Sequence, residues 1–284
     1  MTQQIFESPG QVVFDVPVTD LDVSLVAGRL NVVGSDGPAR VEVSAIGRRP
    51  VVVDLVDGRL SVRHQHPQSW PGFLWWLGGI GRSYHVDVSV AVPHAAAASL
   101  RVVSGSVVAS SLRNRAVVDV TSGRVSLLGL GGTVHAKTVS GPVDALAVDG
   151  DLTVETISGE ITVADVAPRR LSARAVSGSI TCDLDNSPVS QIRLETTSGE
   201  ITVRVREDSD LDVRLHAISG RVTSVFQQLP VDKNLGGGSS VAGRLGHGTG
   251  RLDVHAISGN IALLARAVDN DEPPADEPAG DGAA

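Results

Sequence analysis

Val154-Glu-Thr-Ile-Ser-Gly-Glu-Ile-Thr-Val163 is one copy of a phrase that this chain writes eight times. Each copy has an apolar alternation, then Ser-Gly, then a β-branched residue two places after the Gly. The corners are Ser104-Gly105, Ser122-Gly123, Ser140-Gly141, Ser158-Gly159, Ser177-Gly178, Ser198-Gly199, Ser219-Gly220 and Ser258-Gly259. Successive serines are 18, 18, 18, 19, 21, 21 and 39 residues apart, the last close to two periods. A fixed period of this length marks a stacked repeat, in which each unit buries its apolar face only against its neighbours.

The columns around the serines predict the strands. Four places before each serine stand Leu100, Val118, Ala136, Val154, Ala173, Leu194, Leu215 and Val254, all apolar. Three places after stand Val107, Val125, Val143, Ile161, Ile180, Ile201, Val222 and Ile261, all β-branched. A period of two means one buried face, and the parity changes at Ser-Gly. Two strands per coil therefore meet at a glycine bend, with the serine expected near the inner corner, where its hydroxyl satisfies polar groups. The expected fold is all-β: a parallel β-solenoid (β-helix) of about 18–21 residues per coil, its handedness undetermined from the sequence. Three places before the serines, the signs alternate from Arg101 through Asp119, Lys137, Glu155 and Arg174 to Glu195. Opposite charges side by side on adjacent strands fix register, since like charges there repel.

Moving outward from the array, Leu21–Val32 carries the phrase with Ala27 in the serine slot, and Val51–Val62 repeats it with Asp57 there. The domain expectation is a loose N-terminus over 1–10, one solenoid over 11–266, and an acidic, Pro-rich, disordered tail over 267–284. Two insertions interrupt the solenoid. The first, 64–85, holds Trp70, Phe73, Trp75 and Trp76; the second, 227–250, is Gly-rich and flexible by composition.

Hydrophobic residues make up 42% of the chain but aromatic ones only 3%, which suits thin aliphatic layers. The net charge of −8 comes mostly from the tail, so the body is near neutral and offers no basic face for nucleic acid. Cys182 is the single cysteine and excludes an internal disulfide. Met1–Gly10 has neither a basic nor an apolar signal region, and no apolar run reaches membrane-spanning length, so a cytoplasmic location is expected.

Few residues suggest chemistry. His64-Gln-His66 lacks a third metal ligand, and Gly246-His-Gly-Thr-Gly250 lacks the strand–loop–helix setting of a phosphate loop. The acids near turns, among them Asp144, Asp149, Asp151, Asp165, Asp183 and Asp185, do not gather in one column as a polysaccharide-cleaving site requires. The outward threonines Thr162, Thr181, Thr202 and Thr223 lie beside Glu160, Glu200 and Arg221, too charged for an ice-like surface. No catalytic residue, cofactor or metal is expected. Trp70, Phe73, Trp75 and Trp76 are costly to expose. They either cap the solenoid or contact a protein partner, a second copy or a membrane surface.

Val86-Asp-Val88-Ser-Val90-Ala-Val92-Pro93, leading into Leu100-Arg-Val102-Val-Ser104-Gly105, with the recurring Ser-Gly-x-Ile/Val, resembles the bacterial putative-adhesin family of β-strand-repeat proteins, a domain of unknown function. The resemblance spans most of residues 12–266. It implies a non-catalytic structural or interaction scaffold with a surface role, and no catalytic residues to carry over. The alternative is a carbohydrate-binding or polysaccharide-cleaving solenoid.

Overall fold

Alternation of apolar and polar residues builds nearly every strand of this chain. The computed structural model describes residues 2–64, 84–166, 168–185, 190–233 and 238–266, and among them there is no helix. The N-terminal strands are β1 (Thr2–Phe6), β2 (Gly10–Phe14), β3 (Asp20–Ser35), β4 (Ala39–Ile46), β5 (Val51–Val56), β6 (Arg59–His64) and β7 (His85–Pro93). The coils follow as β8 (Ala97–Ser110), β9 (Ala116–Ser122), β10 (Val125–Leu128), β11 (Thr133–Ser140), β12 (Val143–Leu146), β13 (Asp151–Ser158), β14 (Ile161–Val166), β15 (Arg170–Ser177), β16 (Ile180–Leu184), β17 (Gln191–Ser198) and β18 (Ile201–Arg206). The chain ends in β19 (Leu211–Ser219), β20 (Val222–Ser224), β21 (Val231–Lys233), β22 (Ser239–Leu245), β23 (Gly250–Ser258) and β24 (Ile261–Arg266).

From β9 onward each coil contributes two strands that meet at the Ser-Gly corner, while β3 and β8 run through theirs unbroken. The first strands stack in parallel as one face, with Ser122, Ser140, Ser158 and Ser177 in register. The second strands stack as the other, with Val107, Val125, Val143, Ile161 and Ile180 in register. The apolar columns four before and three after the serine face each other and are fully buried, as in Leu100, Val118, Val154, Ile161 and Ile180. The parallel solenoid expected from the sequence is therefore what the chain forms.

The stacking order departs from chain order at the C-terminal end. Strand β23 lies between β17 and β19, pairing Ser198 with Ser258 and Ser258 with Ser219. No coil is missing between Ser219 and Ser258. The last coil fills a slot that the chain first skips, and the same phrase satisfies the same register from either side. The Gly-rich insertion is not a plain loop. Its residues Ser239–Leu245 form β22, antiparallel to β19, and β21 pairs with β22 in turn. An exposed edge at β19 would leave a row of unpaired backbone groups, and β22 covers it. The Ser239 hydroxyl accepts a hydrogen bond from the Val222 N–H at 2.6 Å and donates one to the Gly220 carbonyl at 3.1 Å, replacing the coil that would come next.

Two expectations change at the N-terminal end, and a third holds. Thr2–Phe6 is not a loose end but pairs antiparallel with β5. Val51–Val62 is not a coil: β5 and β6 form an antiparallel hairpin. Its Asp57-Gly58 turn has φ of 48° and 79°, the left-handed pair that a two-residue hairpin loop requires. The Ala27 phrase is a true coil, with Ala27 beside Ser104 and Gly28 beside Gly105. Antiparallel strands close this end on both faces, and the terminal strands β1 and β2 are only five residues long, which limits pairing with other chains. The acidic tail and most of the Trp-rich insertion lie outside the described residues.

Candidate functional site

The most regular exposed feature of the molecule is its corner. A Cβ built on Gly141 would lie 2.1 Å from the Gly123 carbonyl oxygen, and one on Gly123 would lie 1.7 Å from that of Gly105. The same approach runs from Gly28 through Gly105, Gly123, Gly141, Gly159, Gly178, Gly199 and Gly259 to Gly220. Glycine is needed here because backbone meets backbone, and at Gly141 φ is 125° as well. Main-chain bonds knit the stack: the N–H of Gly123 donates to the Ser140 carbonyl at 2.9 Å, and Gly178 to Ser198 at 3.0 Å.

This tightness turns the serines outward. All eight corner serines are exposed rather than inner, because the glycine stack leaves no interior room at the bend. Their carbonyls, not their hydroxyls, satisfy the corner. The hydroxyl near the core belongs to the threonine two places earlier in some coils; buried Thr196 donates to the Gly178 carbonyl at 3.4 Å.

The residue just before each serine is also turned out. In stacking order these are Val103, Thr121, Val139, Ile157, Val176, Thr197, Ile257 and Ile218. The six aliphatic ones are 42–57% exposed. At about 4.8 Å per rung, this uncharged β-branched ladder runs roughly 34 Å. It was readable in the sequence as a column without exception, but period-two reasoning gave no hint that two consecutive residues at the bend would both face solvent.

At its head, Val26 occupies the same column and is buried under Tyr84. The Val26 N–H donates to His64 Nδ1 at 3.2 Å, the His64 and Tyr84 rings meet edge-on at 5.5 Å, and the Arg49 guanidinium lies 5.7 Å from the Tyr84 centroid. His64 is thus a core residue. Trp70, Phe73, Trp75 and Trp76 lie outside the described residues.

Beside the ladder runs the charged column. Arg101 lies 3.9 Å from Asp119, Lys137 3.4 Å from Glu155, and Arg174 2.8 Å from Glu195. Burial pushes the Glu195 carboxyl up, but hydrogen bonds from Arg193 and Arg174 outweigh it and hold the group below its ordinary value. The column ends in His255 and His216, whose ring centroids are 6.1 Å apart. On the second face, Arg124 pairs with Asp144 at 2.5 Å, and Asp183 is shared by Arg204 and Arg266. The Arg204 hydrogen bond keeps Asp183 below the usual carboxylate range.

Recesses elsewhere are shallow. One of about 700 Å³ opens beside Gly28 and Gly105, lined also by Arg29, His85, Ser104 and Ser106. Arg29 binds Asp87 at 2.5 Å there and lowers its carboxyl. Another of about 540 Å³ at the opposite turns is lined by Arg113, Asn114, Arg115, Gly132, Thr133 and His135. Among the described residues no three His, Cys, Asp or Glu side chains gather as metal ligands. Cys182 is fully buried, and burial pushes its thiol up to about 12, so it is no nucleophile.

The sequence model described as Toastrack DUF4097 matches residues 41–264. A putative cell adhesion protein from Clostridium sporogenes is 12% identical, with 91% of this chain and 100% of that one covered and a TM-score of 0.27. A putative adhesin from Bacteroides fragilis is 10% identical over 93% and 96% of the two chains, with a TM-score of 0.38. A putative lipid binding protein from Parabacteroides distasonis is 12% identical over 90% and 96%, at 0.37. No curated protein matches the sequence.

Proposed function

This chain belongs to the Toastrack DUF4097 family, and from that premise we propose that it is a non-catalytic, adhesin-like scaffold that presents a repeated line of contacts on a stiff corner. The observation that carries this reading is the exposed β-branched ladder mounted on the glycine stack. Its rungs are spaced by the sheet and held by backbone bonds, so a partner meets a surface that needs little ordering. Asp144, Asp183 and Glu195 are engaged by arginines across neighbouring strands. That use of these three carboxylates fixes register and ties them up, which supports a non-catalytic reading. By composition, Trp70, Phe73, Trp75 and Trp76 add a second set of anchors for a protein partner, a second copy or a membrane surface.

The competing function is glycan binding or cleavage. Purified full-length protein is incubated with a panel of neutral and acidic polysaccharides, and retained glycan and new reducing ends are measured. The scaffold reading expects no product; sustained release of oligosaccharide refutes it.

A further inference from the structure

In stacking order the charged column reads Arg101, Asp119, Lys137, Glu155, Arg174, Glu195, His255, His216. An alternating series has a property that a uniform one lacks. Laid antiparallel against its own copy, centred between the fourth and fifth rungs, it sets every carboxylate against a basic or imidazole group. Glu155 meets Arg174, Lys137 meets Glu195, and Asp119 meets His255. Shifted by one rung, it sets Glu155 against itself, Lys137 against Arg174 and Asp119 against Glu195.

We propose that the corner ladder is a self-association surface, on which two copies of this chain pack antiparallel about a two-fold axis lying between Ile157 and Val176. This rests on the scaffold reading and names the partner of the same surface. The contact is isologous, so it closes on itself and forms a dimer rather than a fibre. Aliphatic rungs of one copy seat between rungs of the other because both repeat at the same spacing of about 4.8 Å. The flanking serines are small and uncharged and do not hold the ladders apart. A strip about 34 Å long and about 20 Å wide, taking in ladder, serines and charged column, offers on the order of 700 Å² per copy, near the usual share of a specific interface. A parallel two-fold arrangement sets the charged column against the column two places after the serine instead, where Glu155 faces Glu160 and Glu195 faces Glu200. Charge thus selects one orientation and one register.

Sedimentation velocity on the full chain between about 1 and 300 μM tests this, with thermal melts run in parallel. Wild type is expected to show a concentration-dependent dimer. I157E/V176E alters only exposed positions and is expected to weaken the dimer at least tenfold with an unchanged melt. R174E sets Glu155 against a glutamate across the axis and weakens it too. E155R/R174E restores that cross-copy pair while leaving like charges adjacent within each chain, so its recovery of the dimer reports the contact between copies. Wild type that stays monomeric throughout overturns the inference, as does a dimer indifferent to I157E/V176E. A dimer lost only on deletion of residues 65–83 places the contact on the Trp-rich insertion and overturns it equally. None of these outcomes touches the scaffold reading, which stands or falls on the polysaccharide assay.

Discussion

Replacing Gly141 by alanine probes the corner directly. Two costs add. A φ of 125° is one that an L-residue with a Cβ adopts only under strain of about 1–3 kcal/mol. The new Cβ also lies 2.1 Å from the Gly123 carbonyl oxygen and 2.7 Å from its carbon. Ordinary contact is roughly 3.5 Å, so coils must part by more than an ångström at the corner. That stretches the bond from Gly123 N–H to Ser140 O at 2.9 Å. Leaving that group unmet costs about 1–3 kcal/mol. The expected total is about 2–6 kcal/mol, large for one methyl group. The control is Ser140→Ala on the neighbouring residue: its hydroxyl is exposed, and the change is expected within about 0.5 kcal/mol. Urea unfolding gives both values, and hydrogen exchange localises the loss to the corners at Gly123, Gly141 and Gly159. A Gly141→Ala protein within about 1 kcal/mol of wild type would refute the backbone-contact account of the glycine column.

Two further outcomes test the fold and its electrostatics. The folded-state carboxyl of Asp87 lies below its ordinary value of 3.8 because it accepts from Arg29, so the stability it contributes is fully present above that value and is lost as pH falls through the lower folded one. Acid unfolding between about pH 4 and 2 is therefore expected to flatten in Asp87→Asn, and a curve parallel to wild type counts against the pair. For the coil order, Glu195 and His255 are register partners while Glu195 and His216 sit two coils apart. At about 4.8 Å per coil, E195C/H255C is expected to oxidise to an internal disulfide and E195C/H216C is not, with Cys182 buried and silent; the reverse pattern restores chain order to the stack.

The architecture was legible because each position in the phrase has one job repeated many times. Val107, Val125 and Val143 announce a buried column together in a way that none would alone, and Arg101 to Glu195 announces the register. Repetition hid the rest for the same reason. A coil headed by Ser258 and one headed by Ser219 present the same apolar columns, so pattern alone cannot say which lies against Ser198. That choice rests on β22 covering β19, a pairing between unlike segments that leaves no period. Asp57-Gly58 shows the opposite error. It fits the phrase by spacing, yet Asp-Gly flanked by apolar strands is a hairpin signal in its own right, and local turn chemistry prevailed over the period. The serines were misplaced because strand parity was carried one residue too far into a bend whose packing is set by backbone oxygens. What that bend turns outward is a line, not a point. Nine glycines in contact from Gly28 to Gly220 hold the rungs at one spacing, and no single rung differs enough from its neighbours to be a site on its own. A surface of this kind gains affinity by summing weak, equal contacts along its length. It fits a partner with the same period, and the partner that has it without further assumption is another copy of the same corner.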